Sequence, residues 1–187
     1  MKIFLLIASL LLPVPSVFAQ ADWTAAKTAD LSQLDQVRYA QLTAAEKLAL
    51  NTLTTPAVQK CATGADVADT LQRVRVRRSD LGGGTQGFVV EGTGCLCDAG
   101  NCEFWLVTSD MTVLFDGMAQ TYALLPQLTN DRYDFVTASH VSTTESTRAM
   151  YTFDGTKYQS TQCADITLAN AFGSLQMKPT ITVKKCQ

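Results

Sequence analysis

Six cysteines stand behind an N-terminal stretch that reads as an export leader, and that combination constrains the chain more than any other feature. Lys2 supplies the positive start, Ile3 to Leu12 the apolar run, and Val17-Phe18-Ala19 a small-residue cleavage pattern. Ala19-Gln20-Ala21 offers a second cut. Pro13 and Pro15 interrupt the run, which stays short of the roughly 20 apolar residues needed to cross a bilayer. With no cysteine at either junction a lipid-anchored lipoprotein is not expected, and no later apolar run is long enough to span. Export delivers the thiols to an oxidising compartment, periplasmic or extracellular, where they pair into disulfides.

Cys95, Cys97 and Cys102 sit within eight residues, whereas Cys61, Cys163 and Cys186 are far apart. Spacing alone leaves the connectivity open. The short span Asp98 to Asn101 can close a small loop, which favours Cys97–Cys102. Cys163 follows one expected strand and Cys186 ends another, so Cys163–Cys186 is the second choice, leaving Cys61 to join Cys95. The competing reading is a metal held by Cys95, Cys97 and Cys102, with Cys61 or His140 as a further ligand. Oxidation weighs against it, and no metal or cofactor is assigned.

Cleavage after Ala19 leaves 168 of the 187 residues, 20–187, enough for a single globular domain with a real core. Loss of Lys2 takes the 15 basic residues to 14 against 17 acidic ones, a net charge of −3. That balance offers no field for nucleic acid or for an anionic membrane.

The leading part, 22–60, reads as helical. Leu31, Leu34, Val37 and Tyr39, then Leu42, Leu48, Leu50 and Leu53, recur among many alanines. Thr43-Ala44-Ala45-Glu46 is a capping box, so two helices are expected, 24–40 and 44–53, the second ended by Thr54-Thr55-Pro56. From 71 to 187 the chain reads as β-rich. Leu71, Arg73, Arg75 and Arg77 alternate with Gln72, Val74 and Val76, which predicts a strand with an arginine-bearing face. Further strands are expected at Gly87–Glu91, Cys102–Thr108, Met111–Phe115, Tyr133–Ser139, Ala149–Phe153, Lys157–Thr161 and Thr180–Cys186. Gly82-Gly83-Gly84 reads as a flexible turn; a phosphate loop would need a following Gly-Lys-Ser/Thr, which is absent. A weak echo places Phe115-Asp116-Gly117 and Tyr122 beside Phe153-Asp154-Gly155 and Tyr158, with both Asp-Gly pairs as hairpin turns.

Catalytic patterns are incomplete. His140 is the only histidine, and neither a Gly-x-Ser-x-Gly elbow nor a His-Glu-x-x-His pair accompanies it. The aspartates form no calcium loop. Arg73, Arg75 and Arg77 could receive carboxylates, phosphates or acidic sugars, although a solvated face with cross-strand acids such as Glu91 is the favoured reading of the pattern. The strand aromatics, Phe104, Trp105, Phe115, Tyr133, Phe135, Tyr151, Phe153 and Tyr158, are expected mostly in the core.

Gly100-Asn101-Cys102-Glu103-Phe104-Trp105, and Tyr151-Thr152-Phe153-Asp154-Gly155-Thr156-Lys157-Tyr158 with Cys163, resemble uncharacterised secreted bacterial proteins. Those carry Gly-Asn-Cys-x-x-Trp and Tyr-x-Phe-Asp-Gly-x-x-Tyr…Cys motifs. The resemblance covers roughly the middle third of the chain and implies turn, core and bridge residues but no activity. Periplasmic lysozyme-inhibitor families are similar in size, export and β-rich pattern, but their Ser-Gly-x-x-Tyr signature is absent.

The expected architecture is α+β: two N-terminal helices followed by an antiparallel meander or small sandwich, linked by disulfides. The expected role is an exported, non-enzymatic binding protein of the cell envelope, its ligand a protein or glycan. Arg73, Arg75, Arg77 and His140 are the candidate contact residues, and no catalytic residue is assigned. An envelope hydrolase using carboxylates or His140, and a purely structural envelope component, are the alternatives.

Overall fold

A computed structural model describes residues 23–26, 29–30, 41–62, 66–169 and 178–186. They form mostly antiparallel β-sheet with a few helices and three disulfides. The bridges are Cys61–Cys95, Cys97–Cys102 and Cys163–Cys186, the three expected pairs. All six sulfurs are therefore bonded to one another, leaving no thiolate for a metal. Each bridge contributes about 2–4 kcal/mol by constraining the unfolded chain.

Helix α1 (Ala44–Cys61) begins where the capping box places it. The Glu46 amide donates to Thr43 Oγ1 at 3.2 Å, and the Thr43 amide donates to Glu46 Oε2 at 2.7 Å. These bonds hold the Glu46 carboxyl below its usual range. The helix does not end at Thr54-Thr55-Pro56, as expected, but runs through Pro56 to Cys61. An interior proline costs about 3 kcal/mol. Burial of Leu50, Thr54 and Val58 along one face offsets that cost, and Cys61–Cys95 fastens the helix end. Most of the expected helix 24–40 lies outside the described residues. Of its described parts, Trp23–Ala25 is a 3-10 turn and Ala29–Asp30 is a short strand, β1.

Helix α2 (Asp66–Arg73) corrects the strand expected from Leu71. Alternating Leu/Arg and Gln/Val suits a strand, but the Asp69–Arg73 pair, 2.8 Å apart one turn away, also suits a final helical turn. The strand proper, β2, is Arg75–Asp80. The others are β3 (Gln86–Glu91), β4 (Cys97–Asp98), β5 (Asn101–Thr108), β6 (Val113–Ala119), β7 (Thr121–Thr129), β8 (Arg132–Ser142), β9 (Glu145–Phe153), β10 (Tyr158–Ala169) and β11 (Lys178–Lys184). Strand β7 escapes the sequence pattern because it contains Pro126. The proline sits where the β7–β8 register shifts between Leu124 and Leu128, so no ladder amide is demanded of it. Asp116-Gly117 is not a turn either: it lies inside β6, with Gly117 opposite Phe104. Asp154-Gly155 is a turn as expected, with Gly155 at φ 106°.

The six-stranded sheet has the order β1-β7-β8-β9-β10-β11; the other runs β2-β3-β5-β4, with β6 also on β5. Alternation along β5 divides the interior. Phe104 and Leu106 join Phe115, Tyr122, Phe135, Phe153 and Tyr158 between the two sheets. Trp105 and Val107 face the helices, packing with Leu50, Val58, Val76 and Val90. Trp23, Val136, Met150 and Ala164 form a third cluster on the outer face of the six-stranded sheet, where the Trp23 indole donates to Gln162 Oε1 at 2.8 Å. No helix among the described residues is long and apolar enough to cross a membrane.

One buried group strains this arrangement. Asp134 on β8 has no exposed surface, and among the described residues neither carboxyl oxygen finds a partner in hydrogen-bonding geometry. Burial pushes its pKa up, and the nearby Thr129 hydroxyl offsets only part of that. A carboxyl raised on folding leaves stability intact below its unfolded pKa of about 4 and erodes it as pH climbs from there through the folded value. Asp134→Asn is therefore expected to stabilise the protein by about 1–3 kcal/mol at pH 7 and by almost nothing at pH 4. Urea unfolding of both forms at the two pH values checks this, and an equal difference at both would refute it.

Candidate functional site: a cleft along the seam between the sheets

The structure separates the four residues expected to make contacts. Arg73 lies at the end of α2, exposed and paired with Asp69. Arg75 faces Glu91 across the β2–β3 ladder at 3.6 Å, with Glu91 only 8% exposed. Arg77 is half-buried with its guanidinium 5.0 Å from the centre of the Tyr122 ring, and burial lowers its pKa. The neighbouring Arg78 reaches Glu46 of α1 at 3.2 Å. Each guanidinium thus has its own partner, and they do not converge on one ligand. The cross-strand neutralisation by Glu91 is the alternative that the alternation itself suggested.

His140, on β8, is held through its backbone. Its amide donates to Asn101 Oδ1 at 2.7 Å, and its carbonyl accepts from Asn101 Nδ2 at 2.9 Å. Asn101 opens β5, so one side-chain amide ties the two sheets together. This gives the asparagine of Gly100-Asn101-Cys102 a structural task. Asn101→Leu removes both bonds and is expected to cost about 1–3 kcal/mol, read from the urea midpoint; an unchanged midpoint would contradict the tie.

The second motif acts similarly. Tyr158 sits in the core and donates its hydroxyl to the Tyr133 carbonyl at 2.9 Å, while burial drives its pKa up to about 12. In the Asp154-Gly155-Thr156-Lys157 turn, Asp154 Oδ1 accepts from the Lys157 amide at 2.8 Å and the Thr156 amide at 2.7 Å. These bonds hold its carboxyl below the usual range. Asp154 Oδ2 also accepts from Gln159 Nε2 at 3.2 Å. One carboxylate therefore fixes the turn from which Lys157 and Gln159 project.

That turn forms one wall of a cleft of about 360 Å³. The opposite wall is Val113–Gly117 of β6, which pairs with β5. Phe115 and Tyr151 meet edge to face at 4.8 Å along the seam, and Tyr151 also lines the cleft. Gly117 allows this because a Cβ there would stand 2.8 Å from Phe115 Cζ. Asp116 and Lys157 are exposed at the rim, with Gln159 and Ser160 beside them. Ser160 pairs with Tyr151 and shares its face, whereas Asp116 pairs with Trp105 and lies on the opposite face of β6 from Phe115, and Gln159 is held by Asp154.

Sequence patterns alone do not single out Asp116, Tyr151, Lys157 and Gln159 as site residues. Their signal is the echo, since the cleft brings its first copy, Phe115-Asp116-Gly117, against the residues that follow Asp154-Gly155 in the second. No family model matches the chain, and neither a curated protein nor a solved structure matches it.

Proposed function

We propose that the chain is exported through its Met1–Ala19 leader and serves in the periplasm or outside the cell as a non-enzymatic binding protein of the envelope. Its ligand is a glycan or protein held at the cleft between β6 and the start of β10. The observation that carries this reading is the cleft itself, lined by β6 on one side and by Tyr151 and residues 157–160 on the other. Three disulfides support an oxidising destination. The net charge of −2 gives no support to a nucleic-acid partner.

A hydrolase is the weaker reading. Glycoside cleavage uses two carboxyl groups about 5–10 Å apart. Asp116 is the only carboxylate among the described residues lining the cleft, and Asp154 is committed to its turn. The test is retention of solubilised envelope glycans and envelope hydrolases on immobilised mature protein, against an Asp116→Ala/Lys157→Ala form. Retention by the first and not the second is expected. Equal retention by both rejects the cleft as the contact surface, and turnover of any retained glycan rejects the non-enzymatic assignment.

A further inference from the structure

We propose that β11 is a self-association edge: two copies pair β11 to β11, antiparallel about a two-fold axis through Ile181, and join their six-stranded sheets into one. Strand β11 ends the sheet order, and among the described residues it pairs only with β10. Residues 179–185 are exposed. Packing on either face therefore does little to hold the strand, which is fixed by the β10 ladder and by the Cys163–Cys186 bridge just beyond its end. The edge is ordered before any partner arrives, so pairing costs little further backbone entropy.

The backbone of that edge faces outward. The Leu168 amide donates to the Thr144 carbonyl in the β8–β9 turn at 2.7 Å, away from β11. Leu168 stands opposite Pro179, Ile166 opposite Ile181 and Ala164 opposite Val183. Alternation along an antiparallel ladder then turns the N–H and C=O groups of Ile181 and Val183 away from β10, and the Pro179 carbonyl with them. Pro179 lacks only an N–H that β10 does not use.

The sequence of the strand selects the partner. Lys178-Pro179-Thr180-Ile181-Thr182-Val183-Lys184 reads nearly the same in both directions from Ile181. A two-fold axis there sets Ile181 against Ile181, Thr180 against Thr182, and Pro179 against Val183 of the second copy. The Ile181 pair exchanges reciprocal N–H···O bonds, and each Val183 amide donates to a Pro179 carbonyl. Ile181 and Val183, 42% and 58% exposed, share a face with Ile166 and Leu168. Pairing brings the two apolar stripes side by side, while Thr–Thr pairs support the other face. Lys178 stands opposite Lys184 of the second copy, but Lys184 already holds Asp165 Oδ2 at 2.7 Å, which offsets the repulsion. An isologous contact uses up the same edge in both copies, so the assembly closes at a dimer.

At about 3.4 Å per residue the seven-residue strand is roughly 24 Å long. A seam one strand wide buries less than the roughly 800 Å² per partner of a standard interface, so the dimer is weak. A dissociation constant of about 10 μM to 1 mM is expected.

The test is sedimentation velocity on the mature, oxidised protein from about 5 μM to about 2 mM, with amide hydrogen exchange read at both ends of that range. The average mass should rise toward that of two copies. With it, the Ile181 and Val183 amides should slow more than those of Thr180 and Thr182, which β10 already holds. Ile181→Pro removes the central bonds and leaves the β10 ladder intact, and Ile181→Lys sets two cations together on the axis. Each should weaken association by about tenfold or more while the circular dichroism of the monomer is unchanged. A monomer at every concentration overturns the proposal. Association that survives both substitutions, or that slows amides elsewhere and not at 181 and 183, overturns it as well.

Discussion

Phe135→Ala is expected to lower the unfolding free energy by about 3–5 kcal/mol, the cost of emptying a large aromatic site in a packed core. Phe135 has no exposed surface and stands where the two sheets meet. Its ring stacks on Tyr151 at 4.7 Å with an 11° tilt, and meets Phe115 at 5.0 Å and Tyr158 at 4.8 Å edge to face. Tyr151 and Tyr158 both line the cleft, so the variant should lose ligand affinity as well as stability. Urea unfolding measures the first effect and saccharide titration the second. A loss under about 1 kcal/mol would mean that the surrounding rings collapse into the space, contrary to a rigid seam.

Gly83→Val is the second large effect. The β2–β3 hairpin is held by the Leu81 amide donating to the Thr85 carbonyl at 2.8 Å, and by the Tyr133 amide of β8 donating to the Leu81 carbonyl at 2.9 Å. The hairpin tip is thereby pressed against the β7–β8 turn. At Gly83, φ is +59° and a Cβ would stand 2.4 Å from the Asp131 carbonyl oxygen. The overlap is expected to cost about 1–3 kcal/mol, on top of about 1–2 kcal/mol for the left-handed backbone. Gly84→Ala is the comparison, since Gly84 has φ +76° but a Cβ there would meet nothing within 4 Å. It should show the backbone cost alone. Equal losses at the two positions would mean that the hairpin tip is free of the other sheet.

The expectation of a flexible glycine turn is therefore right about the turn and silent about its contact. Local chemistry in the sequence carries the capping box, the Asp154-Gly155 turn and the strands whose apolar residues alternate. Two of the disulfides follow from strand ends and a short loop, which are also local, and Cys61–Cys95 is the pair they leave. Errors arise where two periods fit equally well or where a partner lies far away in sequence. Arg73 satisfies a strand pattern as well as a helix pair with Asp69. Asp116-Gly117 looks like a turn until β5 is known to lie beside it. Pro126 hides β7, because the bulge that accommodates it exists only against β8.

The arginines do not gather on one face, for the same reason. Glu91, Tyr122 and Glu46 take up Arg75, Arg77 and Arg78, and two of those three partners are more than thirty residues distant along the chain. The cleft is half legible, since the echo marks both of its walls. What the sequence lacks is the packing of the sheets that brings β6 beside the start of β10.

Backbone amide hydrogen exchange, with and without a saturating saccharide or solubilised envelope glycan, tests the central claim most directly. Slowed exchange is predicted at residues 113–117 and 157–160, with the β2 edge and the strand around His140 unchanged. Slowing confined to Arg75–Asp80 or to the neighbourhood of His140 would contradict the account and return the binding surface to the residues that the seam displaced.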